Sequence, residues 1–424
     1  MTRLQLSQTD PAPAISGKAR AQQQHNQRNR RDRWLMVGTV TVILAAWFYG
    51  YFNSGVDAAT QVGKVLPTAA TINRNGEIFV GRGADGEIVG YAGVGSGTGY
   101  GGPMQVVVGV DPAGNILGVE MVEDRESPGF FRLVRNSKLF DDYTEGQITD
   151  PLRIGQDLDT ITGATMSAEG VAYAVREAVR TVAAGPLQTP LPTETRRIQV
   201  GMPELILVLL FVSGYIGHKL RNPKAKRIVR WGTLLAGMIL IGFVYTLPLT
   251  ISMMISLFSG YWPDWQTNLY WYMLIGGILF VTTVDAKNPY CSWFCPFGAF
   301  QECLAAVTKV KAYRPRDLNT PLTWLQRGLA LTAIVLGLAL RQPGVAGYEP
   351  FATLFDLRGS TLQWALLIMV ILASLMMYRP FCNYLCPLDP VIDYIAAGRR
   401  WIKETWNQWR KQPLVQKSAA ASEE

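Results

Sequence analysis

Histidine is almost missing from this sequence: His25 and His218 are the only two in 424 residues. An internal bis-histidine heme needs two facing partners, and His25 lies in a polar tail, so heme is disfavoured. Cysteine is equally scarce, with five in all and none between residues 53 and 202, so no disulfide staples that long segment. Lys and Arg are absent from 248–268. Charged residues make up only 17% of the chain against 49% hydrophobic ones, too apolar a balance for an ordinary soluble protein.

The apolar residues gather in six runs, at about 34–52, 203–220, 231–247, 269–284, 323–341 and 361–378. Each is near the length of about 17–20 residues that spans a bilayer as a helix. Basic residues flank alternate ends of these runs. Lys18, Arg20, Arg28, Arg30, Arg31 and Arg33 precede the first run. Lys219, Arg221, Lys224, Lys226, Arg227 and Arg230 follow the second, Lys287, Lys309, Lys311, Arg314 and Arg316 follow the fourth, and Arg399, Arg400 and Lys403 follow the last. Because cytoplasmic loops retain Lys and Arg, this alternation predicts six crossings with both termini inside. It also accounts for the net charge of +8 without a nucleic-acid partner. The expected division is a basic tail (1–33), a first membrane helix (34–52), an outer segment (53–200), a five-helix membrane domain (201–398) and a second tail (399–424).

Four of the five cysteines fall in two near copies of one stretch. Pro289-Tyr290-Cys291-Ser292-Trp293-Phe294-Cys295-Pro296 is echoed by Pro380-Phe381-Cys382-Asn383-Tyr384-Leu385-Cys386-Pro387. Both follow an apolar run and both face the reducing inner side, where thiolates ligate metals rather than pair. Two helical hairpins of one direction, related by an axis along the membrane normal, can bring the pairs together as one four-thiolate site. Such a site suits an Fe–S cluster, and a structural zinc is the plainer alternative. Trp293 and Tyr384 hold the same place in the two copies and are expected to pack around the site. Cys303, in an apolar helical stretch with Phe300, Leu304 and Val307, is expected to be a buried thiol outside it.

The outer segment reads as strands and then a helix. Glu77–Val80, Glu87–Tyr91, Gln105–Val110 and Ile116–Val122 are rich in β-branched residues and are broken by the turn sequences Asp85-Gly86 and Asp111-Pro112-Ala113-Gly114-Asn115. Val171, Val175, Ala178, Val179 and Val182 recur at helical spacing until Gly185-Pro186. Just before them lies Asp159-Thr160-Ile161-Thr162-Gly163-Ala164-Thr165-Met166-Ser167. Hydroxyls and small residues at a helix start suit a phosphate, which backbone N–H groups and the dipole attract. They equally suit an ordinary Ser/Thr N-cap.

The pattern Asp-x-x-Thr-Gly-Ala-Thr-x-Ser resembles the flavinylation motif of the FMN-binding domain in the flavin subunits of Rnf complexes and the sodium-pumping NADH:quinone oxidoreductase. That resemblance implies FMN carried through a phosphoester on Thr165, with Thr162, Gly163, Ala164 and Ser167 around it. Gly99-Tyr100-Gly101-Gly102-Pro103 fits the same domain. Glu126-Ser127-Pro128-Gly129-Phe130 looks like the Glu-Thr-Pro-Gly segment beside the flavin, with Ser in place of Thr. The membrane half resembles polyferredoxin-like proteins with paired Cys-x3-Cys-Pro motifs. The order of flavin domain, helices and two motifs is similar to the NosR/NirI family, accessory flavoproteins of nitrous oxide reduction, and to membrane flavoproteins found beside reductive dehalogenases. NosR-type proteins continue into a soluble ferredoxin domain, whereas this sequence carries 38 residues after Cys386 and no cysteine among them.

The implied fold is an α+β periplasmic FMN-binding domain inserted in a six-helix membrane protein of the bacterial inner membrane. The implied cofactors are covalent FMN and an Fe–S cluster, expected to be 4Fe–4S, on Cys291, Cys295, Cys382 and Cys386. Glu126, Ser127, Pro128 and Gly129 would lie beside the flavin. The expected function is electron transfer between the inner face or quinone pool and a periplasmic acceptor, in support of a periplasmic metalloenzyme. Membrane lipid, a flavin transferase, a quinone or cytoplasmic donor and a periplasmic redox enzyme are the partners this implies. A redox-sensing regulator, with the short tail bearing Trp401, Trp406 and Trp409 as its only output segment, and a zinc-stapled assembly scaffold are the rival readings. A 30 Å hydrocarbon core separates an inner-face cluster from an outer flavin, so the cluster must lie deep, the flavin domain must dip inward, or another carrier must intervene.

Overall fold

The structure is a computed structural model and describes residues 17–420 apart from 54–57, 100–101, 126–131, 133, 160–164, 192–197, 199, 264, 267, 286–287, 289 and 309–315. Two units are present, Met1–Ala45 and Ala46–Glu424. The first holds the greater part of helix α1 (Gly17–Asn53), whose apolar stretch begins at Arg30. Everything below concerns the second.

Its soluble part is a five-stranded antiparallel meander, β1 (Thr71–Asn75), β2 (Ile78–Arg82), β3 (Ile88–Thr98), β4 (Pro103–Val110) and β5 (Ile116–Asp124), in the order β1-β2-β3-β4-β5. The four expected strands are present, and β3 runs seven residues further than its apolar run indicates because it continues through glycines. β1 was not legible in Thr71-Ile72-Asn73-Arg74-Asn75, an edge strand that is mostly exposed. β4 is apolar along its length because it is covered on both faces. Met104, Val106, Val108 and Val110 enter the core under helix α4 (Thr165–Ala184), with Val171, Val175, Ala178 and Val182. Val107 faces the other way, against Val62, Val65 and Leu66 around helix α2 (Ala59–Val65). Each fully buried valine contributes about 1.5–3 kcal/mol. A short helix, α3 (Leu139–Tyr143), closes the larger core with Leu139 and Tyr143.

The close fit of α4 on β3 comes from Gly93, Gly95 and Gly97. A Cβ on them would stand 2.5, 1.9 and 1.9 Å from the carbonyl oxygens of Ala178, Ala174 and Gly170. The helix backbone therefore rests directly on the strand. This contact puts Gly170, in the second turn of α4, beside the end of β3 at Thr98, five residues after Thr165 opens the helix.

In the membrane part, α5 (Met202–Lys219) and α6 (Pro223–Ala236), extended by a π-helical turn at Gly237–Val244, are long and apolar enough to cross a bilayer. So is the latter part of α10 (Arg316–Ala339), from Asn319. With the apolar stretch of α1 these make four such helices among the described residues, while α8 (Leu269–Asp285) and α12 (Thr361–Ser374) are shorter apolar helices. Their outward faces carry exposed Leu209, Ile216, Phe280, Leu362, Ile368 and Leu372, the surface that lipid covers. Two short pieces interrupt the pattern, α7 (Ile251–Phe258) before α8 and α11 (Phe351–Phe355) before α12. After α8 come a π-helical turn (Tyr290–Phe294) and α9 (Pro296–Val307); after α12 come α13 (Pro380–Tyr384) and α14 (Leu388–Ala420).

Gly95→Val drives a branched side chain into the Ala174 carbonyl and is expected to destabilise the flavin domain by about 3 kcal/mol or more. Thermal unfolding followed in that domain, with a solvent-face control such as Glu87→Gln that leaves it unchanged, checks this.

Candidate redox centres

The two cysteine stretches fold alike. Cys295 N donates to the Tyr290 carbonyl at 2.8 Å, and Cys386 N donates to the Phe381 carbonyl at 2.8 Å. In each copy the proline after the second cysteine ends this turn and the next helix begins, at Pro296 in α9 and just past Pro387 in α14. Phe297 packs edge-on against Phe381 with ring centroids 4.9 Å apart, and both touch Phe351 of α11. The repeat is thus a structural pair sharing one aromatic core.

Polar bonds then lock one copy to the other. Gln301 of α9 is fully buried; its Oε1 accepts from Phe381 N at 3.0 Å, and its Nε2 donates to Cys382 Sγ at 3.2 Å. Gln326 of α10 donates to the carbonyls of Cys382 and Cys386 at 3.1 and 2.9 Å. Arg379, with left-handed backbone (φ 51°), donates through Nη1 to the Cys291 carbonyl at 2.9 Å. Its Nη2 lies 2.7 Å from Glu302, which also binds Arg230 and the Tyr378 hydroxyl. A non-glycine residue in this conformation costs about 1–2 kcal/mol, which these bonds offset. Burial alone would raise the Glu302 carboxyl, but Arg230, Arg379 and Tyr378 outweigh it and hold the group below the usual carboxylate range.

The four thiols converge. Cys295 and Cys386 are buried, and Cys291 and Cys382 are half-buried. Burial pushes all four up, Cys382 to about 12, and every pair among the four is close enough for one thiolate to oppose ionisation of the other. The Arg379 guanidinium works in the opposite direction on Cys295 and Cys382. Among the described residues no three His, Cys, Asp or Glu side chains close tightly enough to share one metal ion. Cys303 is half-buried further along α9 and joins none of these contacts. Trp293 is buried on Gly214 and Gly217 of α5, and Tyr384 is buried with its hydroxyl toward Asn319, so both pack rather than line an open face.

On the flavin side, Thr162, Gly163, Ala164, Glu126, Ser127, Pro128 and Gly129 lie outside the described residues. Thr165 opens α4. Ser167, two residues on, is 1% exposed and its hydroxyl has no hydrogen-bond partner among the described residues. Arg125, which leads into Glu126, is 5% exposed; it pairs with Glu123 at 2.6 Å, and its Nη1 has no partner among the described residues. A buried donor left without an acceptor costs about 1–3 kcal/mol, so both suit an added acceptor. The first-turn N–H groups of α4 offer donors of the same kind. This donor set fits a phosphorylated flavin.

Sequence reasoning missed Arg125, Gln301, Glu302, Gln326 and Arg379. One signal was there: where the first copy has Asn288 before its proline, the second has Arg379. Asn288 caps its own copy, its Oδ1 accepting from Cys291 N at 3.0 Å, whereas Arg379 reaches across to the other copy.

The segment around α7 meets the cysteine turn at one end and the flavin domain at the other. Leu249 N donates to the Tyr290 hydroxyl at 3.0 Å, next to Cys291. Eight helical residues later, a rise of about 12 Å, the chain reaches Tyr261. There the Arg125 guanidinium of the flavin domain stacks 4.9 Å from the Tyr261 ring centroid, with Arg341 4.8 Å from the same centroid. The cysteine site is therefore tied to a segment that leads directly to the flavin domain.

Residues 99–180 match the model of the FMN-binding domain, and residues 267–315 and 361–404 match that of the 4Fe-4S binding domain. The regulatory protein NosR of Pseudomonas aeruginosa is 26% identical over 227 residues, 49% of this chain and 31% of that protein. NosR of Stutzerimonas stutzeri is 25% identical over a similar stretch, and the protein NirI of Paracoccus denitrificans is 28% identical over 207 residues, 43% of this chain and 30% of that one. The chain thus spans about a third of the length of these relatives. The crystal structure of Shewanella oneidensis NqrC aligns at 19% identity over 29% of this chain and 70% of that one, with a TM-score of 0.21, too low to bear on the fold. Two matched domains, apolar helices and these relatives together make the chain a NosR/NirI-like flavo-iron–sulfur membrane protein.

Proposed function

We propose that the protein passes electrons through the membrane between the inner face or quinone pool and a periplasmic acceptor. In this reading both termini are cytoplasmic, the flavin domain is periplasmic and the membrane is the bacterial inner membrane. The acceptor is a periplasmic redox enzyme. The alternation of basic segments supports that orientation. The observation that carries the function is the short path along α7 from Tyr290, beside Cys291, to Tyr261 under Arg125.

Cys291, Cys295, Cys382 and Cys386 would hold the Fe–S cluster, and Thr165 would carry FMN covalently after a flavin transferase attaches it. The cluster supplies one-electron exchange and the flavin one- or two-electron exchange. The chain's own residues set the conditions. Gln301 donates to Cys382 Sγ, and Arg379 adds positive charge beside Cys382 and Cys295; both favour the reduced, more negative site. The aromatic core of Phe297, Phe351 and Phe381 keeps water away. A regulatory reading has one specific support, the name of the two NosR relatives. The same electron path would then report redox state.

Thr165→Ala is expected to lose the FMN that survives denaturation, with intact mass one FMN lower, while Thr162→Ala keeps at least part of it. Equal covalent flavin in Thr165→Ala refutes the attachment site. Cys291→Ala and Cys382→Ala should each abolish the same iron–sulfur absorbance and EPR signal and should be no worse combined, while Cys303→Ala keeps it. Loss of half the iron per motif would mean two sites. Arg379→Gln is expected to lower the cluster midpoint potential by about 60 mV, a tenfold change in a one-electron equilibrium. A redox titration followed by EPR reads that shift.

A further inference from the structure

A cavity of about 330 Å³ lies between the flavin domain and the helix that follows the second cysteine pair. One end is formed by Thr98, Gly99 and Gly102, where β3 passes into β4. The other reaches Val391 and Ile395 of α14, a few residues beyond Cys386. α7 and α8 form its sides. We propose that this cavity binds a quinone. The inference rests on the reading that the flavin and the thiolate site exchange electrons, and it names the lipid-soluble carrier that meets them.

The shape and chemistry of the walls select the ligand. Trp271 and Tyr272 of α8 line the space, and Trp262 stacks on Tyr272 with ring centroids 6.2 Å apart and planes 25° apart. Flat aromatic walls of this kind hold a planar ring. Tyr261, also in the lining, is fixed by arginines on its ring, Arg125 from the flavin domain and Arg341 from the end of α10. The remaining lining is largely aliphatic, with Met253, Leu257 and Ile275, and polar residues are few, among them Asn268 and Ser256. An apolar slot with a few placed polar groups matches a ring bearing two carbonyls better than an acyl chain, which presents no flat face.

Access favours a molecule dissolved in the bilayer. Phe258, Trp262 and Leu279 line the cavity and are also 60%, 64% and 37% exposed on the apolar outer surface. A ligand can therefore enter from the lipid without crossing water. Its position is equally specific: one end touches the loop that opens β4 in the flavin domain, the other the helix anchored by Cys386.

Gly276 gives a direct test. It lines the cavity, and a Cβ built there meets nothing within 4 Å, so leucine at this position fills the space without straining the helix. Gly328 on α10 is equally open but does not line the cavity, and serves as the control. Full-length protein in nanodiscs is titrated and photolabelled with a short-chain azidoquinone. The expected result is saturable labelling of peptides from 253–279, weakened about tenfold or more in Gly276→Leu and unchanged in Gly328→Leu. Flavin content and iron–sulfur absorbance should stay as in the unsubstituted protein. Thr165→Ala protein should still bind the quinone, which separates this inference from failure of the flavin assignment. Labelling elsewhere, equal affinity in Gly276→Leu, or a cavity that retains only phospholipid would overturn the proposal. So would a flavin spectrum perturbed by Gly276→Leu alone, which would put the flavin ring there.

Discussion

The structure depends on buried polar bonds made between two distant loops of the membrane domain. Gln301 ties the turn after the first cysteine pair to the backbone and sulfur of the second, and Arg379 ties the second to the backbone of the first. In an apolar interior each donor and acceptor must find a partner or cost about 1–3 kcal/mol. The two loops are therefore held in one arrangement. The four thiols lie near one another because of this. Glu302 adds the counter-charge for the largely buried Arg379 and for Arg230, which is about a third exposed. Removing one member of such a set leaves charge uncompensated, so the network steadies the cysteine site and sets the charge around it.

The flavin domain is placed by a different device. The backbone of its helix α4 rests on the glycines of β3, and Gly170 in its second turn sits beside the strand end at Thr98. From there Arg125 extends to Tyr261, on the segment whose other end is bonded to Tyr290. α7 thus links the cysteine turn to the flavin domain, and the cavity lies beside it. The short helices α7 and α11 pack toward the cysteine turns: Phe351 of α11 meets Phe297, and Leu249 just before α7 bonds the Tyr290 hydroxyl.

The parts of this arrangement differ in how well the sequence reveals them. The paired cysteines and the strand–strand–helix order were legible because each is a local pattern with a local cause. β4 was legible as a strand from Val106-Val107-Val108, although its burial on both faces depends on α2 and α4. β1 was not, since an exposed edge strand needs no apolar alternation. Gln301, Gln326 and Glu302 were invisible because a polar residue on an apolar helix signals a partner without naming it. Arg379 was readable only as a departure between two copies. The inward path of α7 was hidden for a simpler reason: residues 248–268 lack Lys and Arg, and the sequence reads equally as an outer loop or as a segment folded back into the membrane.

The central claim is that the thiolate site on one face is electronically connected to the flavin on the other. Proteoliposomes that expose only the cytoplasmic face, treated with a membrane-impermeant reductant, test it most directly through the flavin absorbance. The account predicts that the flavin bleaches in the unsubstituted protein and stays oxidised in Cys382→Ala, although both carry the same covalent FMN. Equal bleaching in both, or bleaching only when the reductant is supplied from the opposite face, would contradict it.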